Sequence, residues 1–210
     1  MDPAGSAHGS GRAAFERVFA LTSVVPLAGF AVLHLGSYAR VLFGATTLGD
    51  RHALSALALG VEAVVVWLPL AVHVALAGPL WLRRRTQTTA PGQAAPLALH
   101  RLAGALLAPF VVEHFVRFRW PIVRGDRYPA ESVLALAREL SSTVAGIPLL
   151  AAWHALGTLA LSFHLGFGLA RVAERYAPPA ALGRWRALSF GLGVLVAVVG
   201  TLTIVRLATG

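Results

Sequence analysis

Five long apolar runs organise the chain, at Phe15–Phe43, Leu54–Leu82, Leu97–Phe118, Leu140–Val172 and Ala187–Leu207, each bounded by arginine, proline, glycine or acidic residues. A helix needs about 20 mostly apolar residues to cross a bilayer, and every run reaches that length. The pattern predicts an all-α membrane protein with five transmembrane helices. The linkers differ in character. Gly44–Arg51 reads as a short turn, Arg83–Pro96 is basic and then rich in Thr, Pro and Gln, and Glu174–Arg186 is Pro-rich and basic. Arg119–Glu139 is the longest and most charged, and reads as a solvated loop rather than a segment closing over the bundle. No run repeats another. Residues 1–14 read as a disordered cytoplasmic lead-in, without a signal-peptide pattern, and 15–210 as one transmembrane domain.

Composition narrows the class further. With 57% hydrophobic and 13% charged residues, there is too little polar surface to cover a soluble globule of this size. The net charge of +9 would suggest nucleic acid in a soluble protein, but the arginines lie between apolar runs rather than in a stripe, which excludes that partner and makes them topology signals. All 18 basic residues are arginine. With the N-terminus inside, nine arginines flank the inner side and eight the outer, Arg101 being left aside within the third run. The densest basic group, Arg83–Arg85, then abuts an inner helix end, which favours a multi-pass protein of the cell inner membrane with a cytoplasmic N-terminus. Cysteine is absent, so disulfides, thiolate zinc sites, iron–sulfur clusters and thiol catalysis are excluded within this chain. Histidines and carboxylates remain as metal ligands.

The candidate chemistry lies in the histidines. An ionisable side chain in the middle of a span costs a few kcal/mol unless it has a partner, and His73 lies deep in the second run. At a rise of about 1.5 Å per residue, His34 lies some 26 Å beyond Arg17 and His114 some 20 Å beyond Arg101, both in the outer half. His73, ten residues before Arg83, and His164, seven before Arg171, fall in the inner half. Four helices thus deliver one histidine each, at two depths. A single intramembrane histidine serves an interhelical hydrogen bond or a proton path as readily as a metal. Two pairs at matched depths fit two stacked b-type haems, each iron held by two imidazoles from different helices.

Neighbouring residues modify this picture. Gly104 and Gly168 lie at the inner level, where a porphyrin needs faces free of bulk, although small residues also serve helix packing; Gly29 and Gly78 are open to the same two readings. Arg101 suits a haem propionate or snorkels at the interface. Glu113 and Arg117 have the spacing of a local ion pair. His154, ten residues before His164 and a layer higher, is the reserve candidate for an outer ligand or a quinone contact, with a plain interhelical hydrogen bond as its ordinary role. His100, His52 and His8 read as edge or tail residues in contact with water. Several tryptophans stand at helix ends as interface anchors.

Four local patterns carry a family resemblance: LTSVVPLAGFAVLHL with Pro26, Gly29 and His34; WLPLAVHVALAG with Pro69 and His73; HRLAGALLAPFVVEHF with Arg101, Gly104 and His114; and LSFHLGFGL with His164 and Gly168. In order and spacing, from about Leu21 to Gly168, the chain resembles the di-haem cytochrome b membrane anchor of succinate dehydrogenases and fumarate reductases, the five-helix single-polypeptide type. The resemblance implies axial ligation of a distal haem iron by His34 and His114 and of a proximal one by His73 and His164. It also implies electron transfer to or from a menaquinone or ubiquinone, and flavoprotein and iron–sulfur partners docked on the cytoplasmic face near Arg83–Arg85 and Arg171–Arg186. Dicarboxylate chemistry would belong to the flavoprotein. Two departures stand out. The interval from His114 to His164 exceeds the earlier ones, so that His154 would restore even spacing, and Ser162 stands where some fumarate reductases carry a glutamate for proton movement. The rival expectations are a di-haem anchor of a hydrogenase or formate dehydrogenase, and a haem-free transporter whose histidines relay protons.

Overall fold

In a computed structural model, the described residues are 17–20, 22, 29–44, 56–84 and 94–210. The expected lead-in 1–14, Pro26, His8, His52, the Gly44–Arg51 turn beyond Gly44 and most of the Arg83–Pro96 linker lie outside them. Among the described residues the chain is almost entirely helical and has no strand.

Beyond the helical residues 17–20 and 22, the described helices follow in order. The first, α1, is Gly29–Ala39, continued by a 3-10 turn at Arg40–Phe43. Next, α2 runs through Ala56–Glu62, a π turn at Ala63–Trp67, and Leu68–Arg84. In the same manner α3 runs through Ala94–His114, a π turn at Phe115–Arg119, and Trp120–Val123. A shorter helix, α4, spans Pro129–Leu140; α5 is Leu149–Tyr176 and α6 is Leu182–Thr209. Among the described residues, four stretches are long and apolar enough to cross a membrane: Ala56–Pro79, Ala94–Val123, Leu149–Tyr176 and Pro179–Thr209. α1 is apolar but shorter over its described residues.

α4 replaces the solvated loop expected at Arg119–Glu139. Its apolar residues Val133, Leu136 and Leu140 recur at helical spacing between charged neighbours, and all three are buried with Ser132. Pro129 at the first helical position starts the helix, and the Tyr128 N–H donates to Glu131 Oε2 at 2.7 Å in a capping box. Leu136 and Leu140 pack on Phe118 of α3, with Tyr38, Ala151, Ile204 and Leu207 around them. Ser132 Oγ donates to the Phe118 carbonyl at 3.0 Å, satisfying an oxygen within the π turn. α4 therefore caps one end of the bundle, called the upper end below.

The firmest seam joins α5 and α6. Small residues let the two backbones meet: a Cβ on Gly193 would stand 2.8 Å from the Ser162 carbonyl, and one on Gly166 3.2 Å from the Ser189 carbonyl. Ser162 Oγ donates across the seam to the Gly193 carbonyl at 2.6 Å. α1 leans on the same pair through Ala31, which clusters with Leu165 and Val196. In the apolar stretches of α5 and α6, 28% of residues are buried; in those of α2 and α3, 6% are. The outward faces of α2 and α3 are rows of exposed valines and leucines, as a lipid-facing helix requires.

Candidate functional site: two layers of histidine

The side of α5 turned away from α6 faces α2 and α3, and there six of the chain's eight histidines gather in two layers. In the lower layer, the His73 and His164 rings stand 6.4 Å apart, centroid to centroid, with planes crossed at 84°. His100 stacks flat on His164 at 4.2 Å and 10°. In the upper layer, the His34 and His114 rings stand 5.9 Å apart with planes at 86°. His154 meets His114 at 5.6 Å. The helix that carries both His154 and His164 thus serves both layers, and it is His164 that stands opposite His73.

Local packing fixes each ring. His164 Nδ1 lies 3.2 Å from the His100 carbonyl, which leaves its Nε2 available. Gly104 faces that ring so closely that a Cβ would lie 2.9 Å from His164 Cε1, so only glycine fits without displacing the imidazole. Gly168 borders the same layer, with His100 Cε1 at 3.5 Å from where its Cβ would be. Phe19 stacks on His73 at 4.5 Å. In the upper layer, Phe30 stacks on His34 at 4.8 Å, while Phe110 and Phe118 flank His114. His154 Nδ1 is 3.0 Å from the Leu150 carbonyl, the ordinary local bond of a helical histidine. Among the described residues, four buried imidazole nitrogens have no hydrogen-bond partner: Nδ1 of His73, His100 and His114, and Nε2 of His154.

Other expected residues fall as follows. Glu113 and Arg117 form the expected pair at 3.2 Å, and Arg117 also reaches Glu139 of α4. Arg101 is half-buried beside His100, and Arg101 and Arg171 both lie within electrostatic reach of that ring. Gly29 and Gly78 face open space. Trp81, Trp120 and Trp185 are exposed at helix ends. Ser162 points into the α5–α6 seam, away from the histidines, which explains why that position carries a packing residue.

Three features escaped the sequence reading. His100 is no edge residue, because α3 starts at Ala94 and places it in the second helical turn, against His164. Glu62 of α2 forms an interhelical ion pair with Arg119 of α3, and Trp67 Nε1 donates to the same carboxylate at 2.8 Å. The two π turns went unread as well, although a proline two residues beyond each, Pro69 and Pro121, was a visible signal. Among the described residues, no three His, Asp or Glu side chains gather as the ligands of one metal ion would. No family model, no curated protein and no solved structure matches the chain.

Proposed function

We propose that the chain is a five-helix cytochrome b membrane anchor that holds two b-type haems and passes electrons between an iron–sulfur partner and a membrane quinone, as in succinate dehydrogenase or fumarate reductase. The observation that supports the reading is the approach, in each layer, of two imidazoles carried by different helices. An iron bound by two imidazoles at about 2 Å each would need their ring centroids about 6 Å apart. The separations of 5.9 and 6.4 Å agree with that spacing. His34 and His114 would hold the upper haem, and His73 and His164 the lower. A bound haem supplies a reversible one-electron carrier at each level.

The chain's own groups do the positioning. The His100 carbonyl fixes the His164 ring, the outer partner that orients a ligating imidazole. Gly104 leaves that ring its place, and Phe19 and Phe30 hold the His73 and His34 rings from the side. Apolar helix faces keep water away from both layers. With the N-terminus inside, the upper end faces outward, and the lower layer lies nearest the cytoplasmic flavoprotein and iron–sulfur subunits.

A reduced-minus-oxidised spectrum of the purified protein tests the reading. It predicts a b-type α-band and two haems per chain. A spectrum without that band overturns it and favours the haem-free proton relay; one haem per chain overturns the two-layer assignment.

A further inference from the structure

The upper half of the bundle contains a polar arrangement that the histidine pairs do not use. α2 and α3 each contain a single π turn, Ala63–Trp67 and Phe115–Arg119, followed at the same interval by Pro69 and Pro121. A proline has no N–H to donate and crowds the carbonyl four residues back, so the helix before it widens or bends. Within a π turn, residues five apart share a face. Trp67 accordingly reaches Glu62, five residues earlier, at 2.8 Å, whereas a regular α-helix would turn the two about 140° apart.

These two widened turns meet. Arg119 Nε donates to Glu62 Oε1 at 2.7 Å and its Nη2 engages Oε2, a fork on a carboxylate that already accepts from Trp67. The arginine and glutamate side chains are 17% and 23% exposed. Rings join this clamp to the histidine layer: Trp67 packs edge-on against Phe115 at 4.5 Å and against Phe30 at 6.3 Å, and Phe30 stacks on His34. Both charges lie within electrostatic reach of His34. A buried ion pair adds little net stability, because its desolvation offsets its attraction, so a role in register and local field accounts for it better.

We propose that Glu62, Trp67 and Arg119 are positioning residues of the upper site, an interhelical clamp across two π turns whose balanced charges set how readily the His34–His114 site accepts an electron. The proposal rests on the two-haem reading.

Potentiometric titration of the two haems in the full-length membrane protein tests it, with Glu62→Gln and the double variant Glu62→Gln/Arg119→Gln. The single variant leaves a guanidinium that cannot lose its proton, and an unbalanced positive charge favours the reduced site. Its upper haem should shift to higher potential. The double variant removes both charges and should return the potential toward the wild-type value. The lower haem, on His73 and His164, should stay in place in both, which also shows that the variants fold. A purely structural contact would leave the double variant at least as disturbed as the single. The proposal is overturned if Glu62→Gln does not raise the upper potential, if the double variant lies no nearer wild type, or if both haems move together. A wild-type protein without haem overturns the two-haem reading itself, and this inference with it.

Discussion

α5 has two faces, completed in different ways. Toward α6 it presents Ser162 and Gly166, which meet that helix directly: backbone against backbone, and Ser162 bonded to the Gly193 carbonyl at 2.6 Å. Toward α2 and α3 it presents His154 and His164, and there four imidazole nitrogens across the two layers lack partners. An unmet buried polar group costs about 1–3 kcal/mol. The seam is a finished interface, while the histidine face keeps polar nitrogens that meet no partner among the described residues. The same contrast separates the helices around it, since α6 is held along its length and α2 mostly by rings and the Glu62–Arg119 pair.

The sharpest way to break this contrast is to act on one face and watch the other. His164→Ala should halve the haem content, from two per chain to one, as measured by haem extraction and pigment assay, with the upper haem retained. His154→Ala should retain the lower haem, because His154 lies against His114 in the other layer. The opposite pattern would reverse the assignment of His164. On the finished face, Gly193→Leu drives a side chain into the Ser162 carbonyl and should destabilise the protein by about 1–3 kcal/mol, read as a lowered thermal midpoint in detergent. Both layers should then lose haem together as α5 shifts, unlike the single loss from His164→Ala. The smallest effect belongs to the cap. Ser132→Ala removes the bond to the Phe118 carbonyl and should cost about 1 kcal/mol in thermal stability, with haem content unchanged.

The apolar runs made the long helices legible, because a span of lipid-facing residues has few other uses. Depth alone set His34 with His114 and His73 with His164, since each lies far enough from a charged helix end for the rise per residue to place it. The same reasoning failed for His100, whose level depended on where α3 begins, a boundary that alanines on either side of Pro96 leave indistinct. α4 was hidden by charge. Its buried Val133, Leu136 and Leu140 alternate with Glu131, Arg138 and Glu139, a pattern that describes a helix lying against the bundle end as well as a loop. Glu62 could not be paired with Arg119 by counting in steps of 3.6, because a π turn shifts the face of each helix between the two reference points.

The placement of His73 on α2 and His164 on α5 also orders events in time. About ninety residues separate them, and at roughly 5–20 residues per second the second histidine leaves the ribosome some 5–20 s after the first. α2 must therefore enter the membrane with its imidazole unpaired and remain able to move until α5 arrives. Its loose attachment suits that delay. The α5–α6 hairpin has no such wait, as its two halves are neighbours in the chain and complete one another on insertion. Biosynthesis thus delivers last the two helices that pack most closely on one another.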